Sequence, residues 1–178
     1  MTLRAVGELA VRSFSNLYLD LDFAVDPARI AYIFSVGQLL SVPAPLLAPW
    51  LMARYGRGAV FNWATVGVAG CVFGMAFAQH WLWIAVGYFL VLGLAQIARP
   101  AITIISMSSV TPRWQASMSS SNIISIGLSG LATSIMGGWM IGSVGFRPFL
   151  LTAVAITLVG VAIFWFNFLK DADAAPSV

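Results

Sequence analysis

The chain has 178 residues, of which 60% are hydrophobic and 8% charged, with a formal net charge of +3. Soluble domains carry about 25% charged residues, so a water-covered fold is excluded. The single Cys71 lies in an apolar run and leaves no disulfide framework, and one cysteine with one histidine, His80, leaves no metal site built from those ligands.

The chain reads as all-α, a polytopic bundle of six transmembrane helices in one domain over residues 1–170. Helix 1 is expected at 3–23. Arg4, Glu8, Arg12 and Asp20 interrupt it, and each would cost about 2.5–3.5 kcal/mol at a span centre. Arg4–Glu8 and Glu8–Arg12 are spaced to pair on one face. The helix is therefore expected to face protein or a water-filled cavity rather than lipid. The other reading is an amphipathic helix on the membrane surface.

Helix 2 is expected at 28–53, with Asp26-Pro27 as a start signal. Pro43, Pro45 and Pro49 free the carbonyls of Leu39, Ser41 and Pro45, which predicts a bent and mobile span. From Gly58 through Ala98 there is no Lys, Arg, Asp or Glu. That length holds two spans of about 20 residues, joined at Gln79-His80-Trp81. They are helix 3 at 58–79 and helix 4 at 81–109. Thr111-Pro112 breaks the chain. Helix 5 follows at 114–142, and helix 6 runs over 147–169, opened by Pro148 and closed by Lys170-Asp171. Residues 171–178 form a short polar tail, expected in the cytoplasm. No short apolar leader precedes the first helix, so no cleavable signal peptide is read.

An even span count puts both termini on one side. That side holds Arg4, Arg54, Arg57, Arg113 and Lys170, against Arg29 and Arg147 on the other. The excess predicts a multi-pass protein of the inner or plasma membrane with both termini cytoplasmic. Trp50, Trp63, Trp81, Trp83, Trp114, Trp139 and Trp165 fall near predicted helix ends or in loops, where indole favours the headgroup zone. Small residues at four-residue spacing predict close helix contacts: Gly130, Ser134, Gly138 and Gly142, the parallel row Ser129, Thr133 and Gly137, and Gly70, Gly74 and Ala78.

The segment Leu51-Met52-Ala53-Arg54-Tyr55-Gly56-Arg57-Gly58 resembles the signature loop of the major facilitator superfamily, which reads G-x-x-x-D-R-x-G-R-R. Arg54, Gly56 and Arg57 match. Pro49 stands for the first Gly, Ala53 for the Asp and Gly58 for the last Arg, so a charge relay at this loop is in doubt. Phe14-Ser15-Asn16-Leu17-Tyr18-Leu19, Ile33 to Leu40 and Pro112-Arg113-Trp114-Gln115-Ala116-Ser117 resemble the seventh helix, the eighth helix and the loop before the eleventh. The resemblance implies the C-terminal six-helix half of such a transporter, a 3+3 inverted repeat. It also implies secondary active transport of a small solute by alternating access, with substrate near the midplane between two halves.

Arg99, beside Pro100 and past the middle of helix 4, needs a partner or a water-filled cavity, or reaches the inner headgroups. Gln96, Gln38 and Asn122 are amides at membrane depth. With Asn16, Tyr18 and Arg12 they are the substrate-cavity candidates, each amide serving equally well as helix–helix glue. Arg54, Gly56 and Arg57 are expected to act as a cytoplasmic gating loop through hydrogen bonds to helix ends. Asp20 and Asp22, near the expected outer end, read as solvated capping residues, with proton binding as the other reading. No carboxylate is read at a span centre, so any proton coupling is expected from the missing half.

The expected partners are the lipid bilayer, a small solute, and a missing N-terminal half, a separate half-transporter or a second copy in a homodimer. Neither cofactor nor nucleic acid is expected. The rival readings are a non-transporting membrane subunit or scaffold, or a non-functional fragment. Gly127-Leu128-Ser129-Gly130 is similar to the G-x-S-G of rhomboid proteases, but these need a histidine on a later span. His80 precedes the serine, so the chain is not expected to be an enzyme.

Overall fold

A computed structural model describes residues 5–108 and 111–172. Its elements are α1 (Ala5–Leu21), α2 (Pro27–Ser41), α3 (Ala44–Tyr55), α4 (Arg57–Ala76), α5 (Trp81–Ser108), a 3₁₀ turn (Pro112–Trp114), α6 (Gln115–Val144) and α7 (Phe146–Ala172). Arg4 and the tail from residue 173 lie outside the described residues, and with Arg4 the expected Arg4–Glu8 pair.

Among the described residues, four helices are long and apolar enough to cross a membrane: α4, α5, α6 and α7. The expected second span is a broken one. It divides into α2 and α3, which meet at 42° and together make a fifth candidate. Pro43 lacks the donor that would continue α2, and Val42 N–H turns back to the Leu39 carbonyl at 3.2 Å. Pro45 sits in the first turn of α3, where a missing donor costs nothing. The bend follows from the proline cluster. The first expected span, α1, is 17 residues long and carries Glu8, Arg12 and Asp20, so it stands apart from the apolar helices.

Position within the bundle compensates α1 for those charges. Val6, Gly7, Ala10, Val11, Ser15, Tyr18 and Leu19 form its buried face. That spacing is one side of an α-helix, and α1 packs against α4, α5, α6 and α7 as well as α2. Gly7 allows a close approach to α7. Its N–H donates to Thr157 Oγ1 on α7 at 3.0 Å, and a Cβ on Gly7 would stand 2.8 Å from that oxygen.

The main core joins α1, α4, α5 and α7 through Val11, Leu19, Val72, Met75, Ile84, Leu92 and Phe149. A second cluster holds Phe61, Ala64, Ala98, Ala101, Ile102 and Ile105. Hydroxyls inside the apolar helices are satisfied locally. Thr65, Thr133, Thr152 and Thr157 each donate to the carbonyl four residues back, at 2.7–2.8 Å. This is the arrangement expected where no water is at hand.

The small-residue rows divide sharply. Ser129, Thr133 and Gly137 are buried, and a Cβ on Gly137 would collide with the Phe14 ring. The neighbouring row does not pack against the described residues: Ser134, Gly138 and Gly142 are exposed, and none of the described residues lies within 4 Å of a Cβ built on Gly130, Gly138 or Gly142. Gly70 and Gly74 are likewise exposed and open, while Ala78 is buried. All the tryptophans face outward except Trp81, which is half-buried.

Candidate functional site

A cavity of about 310 Å³ opens between α1, α5 and α6. Arg99 on α5, Asn122 on α6 and Glu8 on α1 line it, with Thr103 and the apolar Ala5, Leu9, Ala95, Ala98, Ile102 and Ile126. Arg99 Nη2 donates to Glu8 Oε1 at 2.7 Å, across 91 positions of sequence. Arg12, one turn along α1, brings its Nε to 2.9 Å from the same oxygen. That N–H is off the bonding axis and buried without a hydrogen bond. The short separation is therefore charge attraction only.

Exposure separates the pair. The Glu8 side chain is 17% exposed and that of Arg99 is 53%. The carboxylate is held against the helices while the guanidinium reaches into open space. The Thr103 hydroxyl donates to the Arg99 carbonyl at 2.9 Å, which leaves its oxygen to accept.

A second cavity, of about 300 Å³, lies between α1 and α2 and is lined by Asn16, Asp20, Pro27, Ile30, Ala31 and Phe34. Glu8, Arg12, Asn16 and Asp20 are spaced four apart along α1, so they form one row, half-buried at Glu8 and Arg12 and exposed at Asn16 and Asp20. The row runs from one cavity to the other, about 18 Å at 1.5 Å per residue.

The other expected residues are more dispersed. Gln96 is half-buried on α5 and Gln38 exposed on α2, and neither lines either cavity. Tyr18 belongs to the core. It is 3% exposed, with ring contacts to Phe146 at 4.8 Å and Phe23 at 5.6 Å.

In the signature-like loop, Gly56 alone connects α3 to α4, at φ +83°. That left-handed backbone favours glycine over any residue with a Cβ. Arg54 is exposed and lies over the Trp50 and Tyr55 rings, at 5.7 and 5.6 Å. Arg57 lines a groove of about 760 Å³ with Gly56, Asn62, Trp63, Val161 and Trp165.

Ser129 is buried, and its hydroxyl donates to the Ser125 carbonyl at 2.9 Å. His80 lies in the α4–α5 turn and accepts from the Leu82 N–H at 3.3 Å. Among the described residues, no group of three His, Cys, Asp or Glu could hold a metal ion.

Glu8 and Thr103 line the cavity without having been among the candidates read from the sequence. Arg99 signalled the need for an anion at depth, but the spacing of Glu8 pointed only to neighbours on its own helix.

Long apolar helices, internally satisfied hydroxyls and a charged cavity define a polytopic helical membrane protein. The family model described as Major Facilitator Superfamily matches residues 4–177, and the chain belongs to that family. Its members are transporters. Among curated proteins, none matches the chain.

Proposed function

We propose that this chain works as the C-terminal half of a secondary active transporter, moving a small solute by alternating access. In this reading α1 and the broken α2–α3 pair complete six spans, arranged as a 3+3 inverted repeat with both termini cytoplasmic. The reading is carried by the row Glu8–Arg12–Asn16–Asp20, which links two cavities along a helix otherwise packed in protein. Charges at membrane depth are costly and characteristically mark solute paths. Arg99, Asn122, Arg12 and Asn16 take the cavity role, and Gln96 and Gln38 face the same space once the second half is in place. Tyr18 positions α1 from its packed side.

The outward row on α6 supports a further bundle beside this one: the missing N-terminal half, a separate half-transporter or a second copy. Lipid against bare glycines gains little, whereas a helix gains close contact. Arg54, Gly56 and Arg57 serve as the cytoplasmic gating loop, steadying that side by hydrogen bonds to helix ends.

The test is flux in proteoliposomes carrying the assembled transporter. Arg99→Ala is expected to lower uptake or efflux at least tenfold, because it removes the only basic residue lining the larger of these two cavities among the described residues. Unchanged flux removes Arg99 from the path, and zero flux in the parent protein favours the non-transporting subunit.

A further inference from the structure

We propose that the solute taken by the α1–α5–α6 cavity is a small organic monoanion, and that Glu8 stands in for its carboxylate when the cavity is empty. The proposal rests on the transporter reading and names the substrate class of the same site. The argument begins with charge. One carboxylate, Glu8, meets two guanidiniums, at 2.7 Å from Arg99 and 2.9 Å from Arg12. Among the described residues the cluster is therefore one positive charge in excess, in a place where uncompensated charge is expensive. One added negative charge balances it. A cation would worsen the excess, and a neutral polyol would leave it in place.

Geometry agrees. The single oxygen Oε1 receives both arginines, and only Nη2 of Arg99 is used in that contact. Arg99 is the more exposed partner, at 53%. A planar guanidinium presents five donors in a fork that fits a carboxylate edge-on. Asn122 adds an amide from α6. The remaining walls are apolar, from Leu9, Ala95, Ala98, Ile102 and Ile126. That lining suits a carboxylate carried on a short hydrocarbon or single-ring body. The volume of about 310 Å³ is at the low end for ligand pockets. In the empty site Glu8 competes for Arg99, so solute entry and release of Glu8 are one exchange.

Thermal unfolding of the full chain in detergent, at matched ionic strength, tests this with benzoate, tetraethylammonium and xylose as probes. Benzoate is expected to raise the midpoint and the other two to leave it unchanged. Arg99→Gln should weaken benzoate binding at least tenfold. Glu8→Gln should strengthen it about tenfold, because the internal competitor is gone. A gain of affinity cannot come from a misfolded variant. No shift with benzoate, an equal shift with tetraethylammonium or xylose, or unchanged affinity in Glu8→Gln overturns the proposal. Failure of the transporter reading looks different: benzoate binds with this variant pattern, yet no probe crosses a proteoliposome membrane in the assembled transporter.

Discussion

Helices α4 and α6 are both apolar enough to cross a bilayer, yet half of the α4 span, 50%, is buried within the chain and only 17% of α6. Each carries glycines at helical spacing. On α4, Val68, Ala69, Val72, Met75 and Ala76 are held against neighbouring helices. On α6 the buried face narrows to Ser129, Thr133 and Gly137, while Ile123, Ile124, Leu131, Ile135 and Trp139 face outward. Apolarity places a segment in lipid without choosing its neighbours, because lipid tails are as apolar as leucine. What chooses them is local shape, a glycine beside a ring.

The difference can be broken at single positions. The largest effect is expected at the ring itself. Phe149→Ala, which removes the edge-on partner of Phe14 at 5.0 Å, should cost about 3 kcal/mol in reversible unfolding in detergent. Gly137→Leu comes next. It drives a side chain into Phe14 and Phe149 and should destabilise by about 2–3 kcal/mol. A third test is Gly7→Ala, expected to lose about 1–2 kcal/mol as the Cβ meets Thr157 Oγ1 and the N–H bond lengthens.

The smallest effect sharpens the contrast most. Gly138→Leu, one residue from Gly137 but open to space, should change the stability of the isolated chain by less than about 0.5 kcal/mol. If a second bundle docks on this row, as proposed, the same change is expected to weaken its association, read as loss of co-purification. If Gly138→Leu unfolds the isolated chain as Gly137→Leu does, the two rows are equivalent and the contrast is void.

Much of this was legible in the chain itself. The charge-free run from Gly58 to Ala98 placed α4 and α5 and the turn at His80 between them. The prolines at 43, 45 and 49 marked the bend between α2 and α3. The cost of charge in lipid marked α1 as a helix that seeks protein, and five other helices pack against it. Less of the site could be read. Arg99 was visible as a residue in need of a counter-charge, but its partner Glu8 lies 91 positions away. Tyr18 looked like a cavity residue because periodicity alone does not say which side of a short helix is the packed one.

Composition and spacing determined that the chain lives in a membrane, that it is helical, and roughly where each helix begins and ends. These follow from the energy of moving each residue from water to lipid, a property of the residue and its immediate neighbours. Only the tertiary structure decided which glycine row packs, which face of α1 is polar, and that Glu8 answers Arg99. Those outcomes depend on distances between helices far apart in sequence, and a one-dimensional pattern holds no term for them.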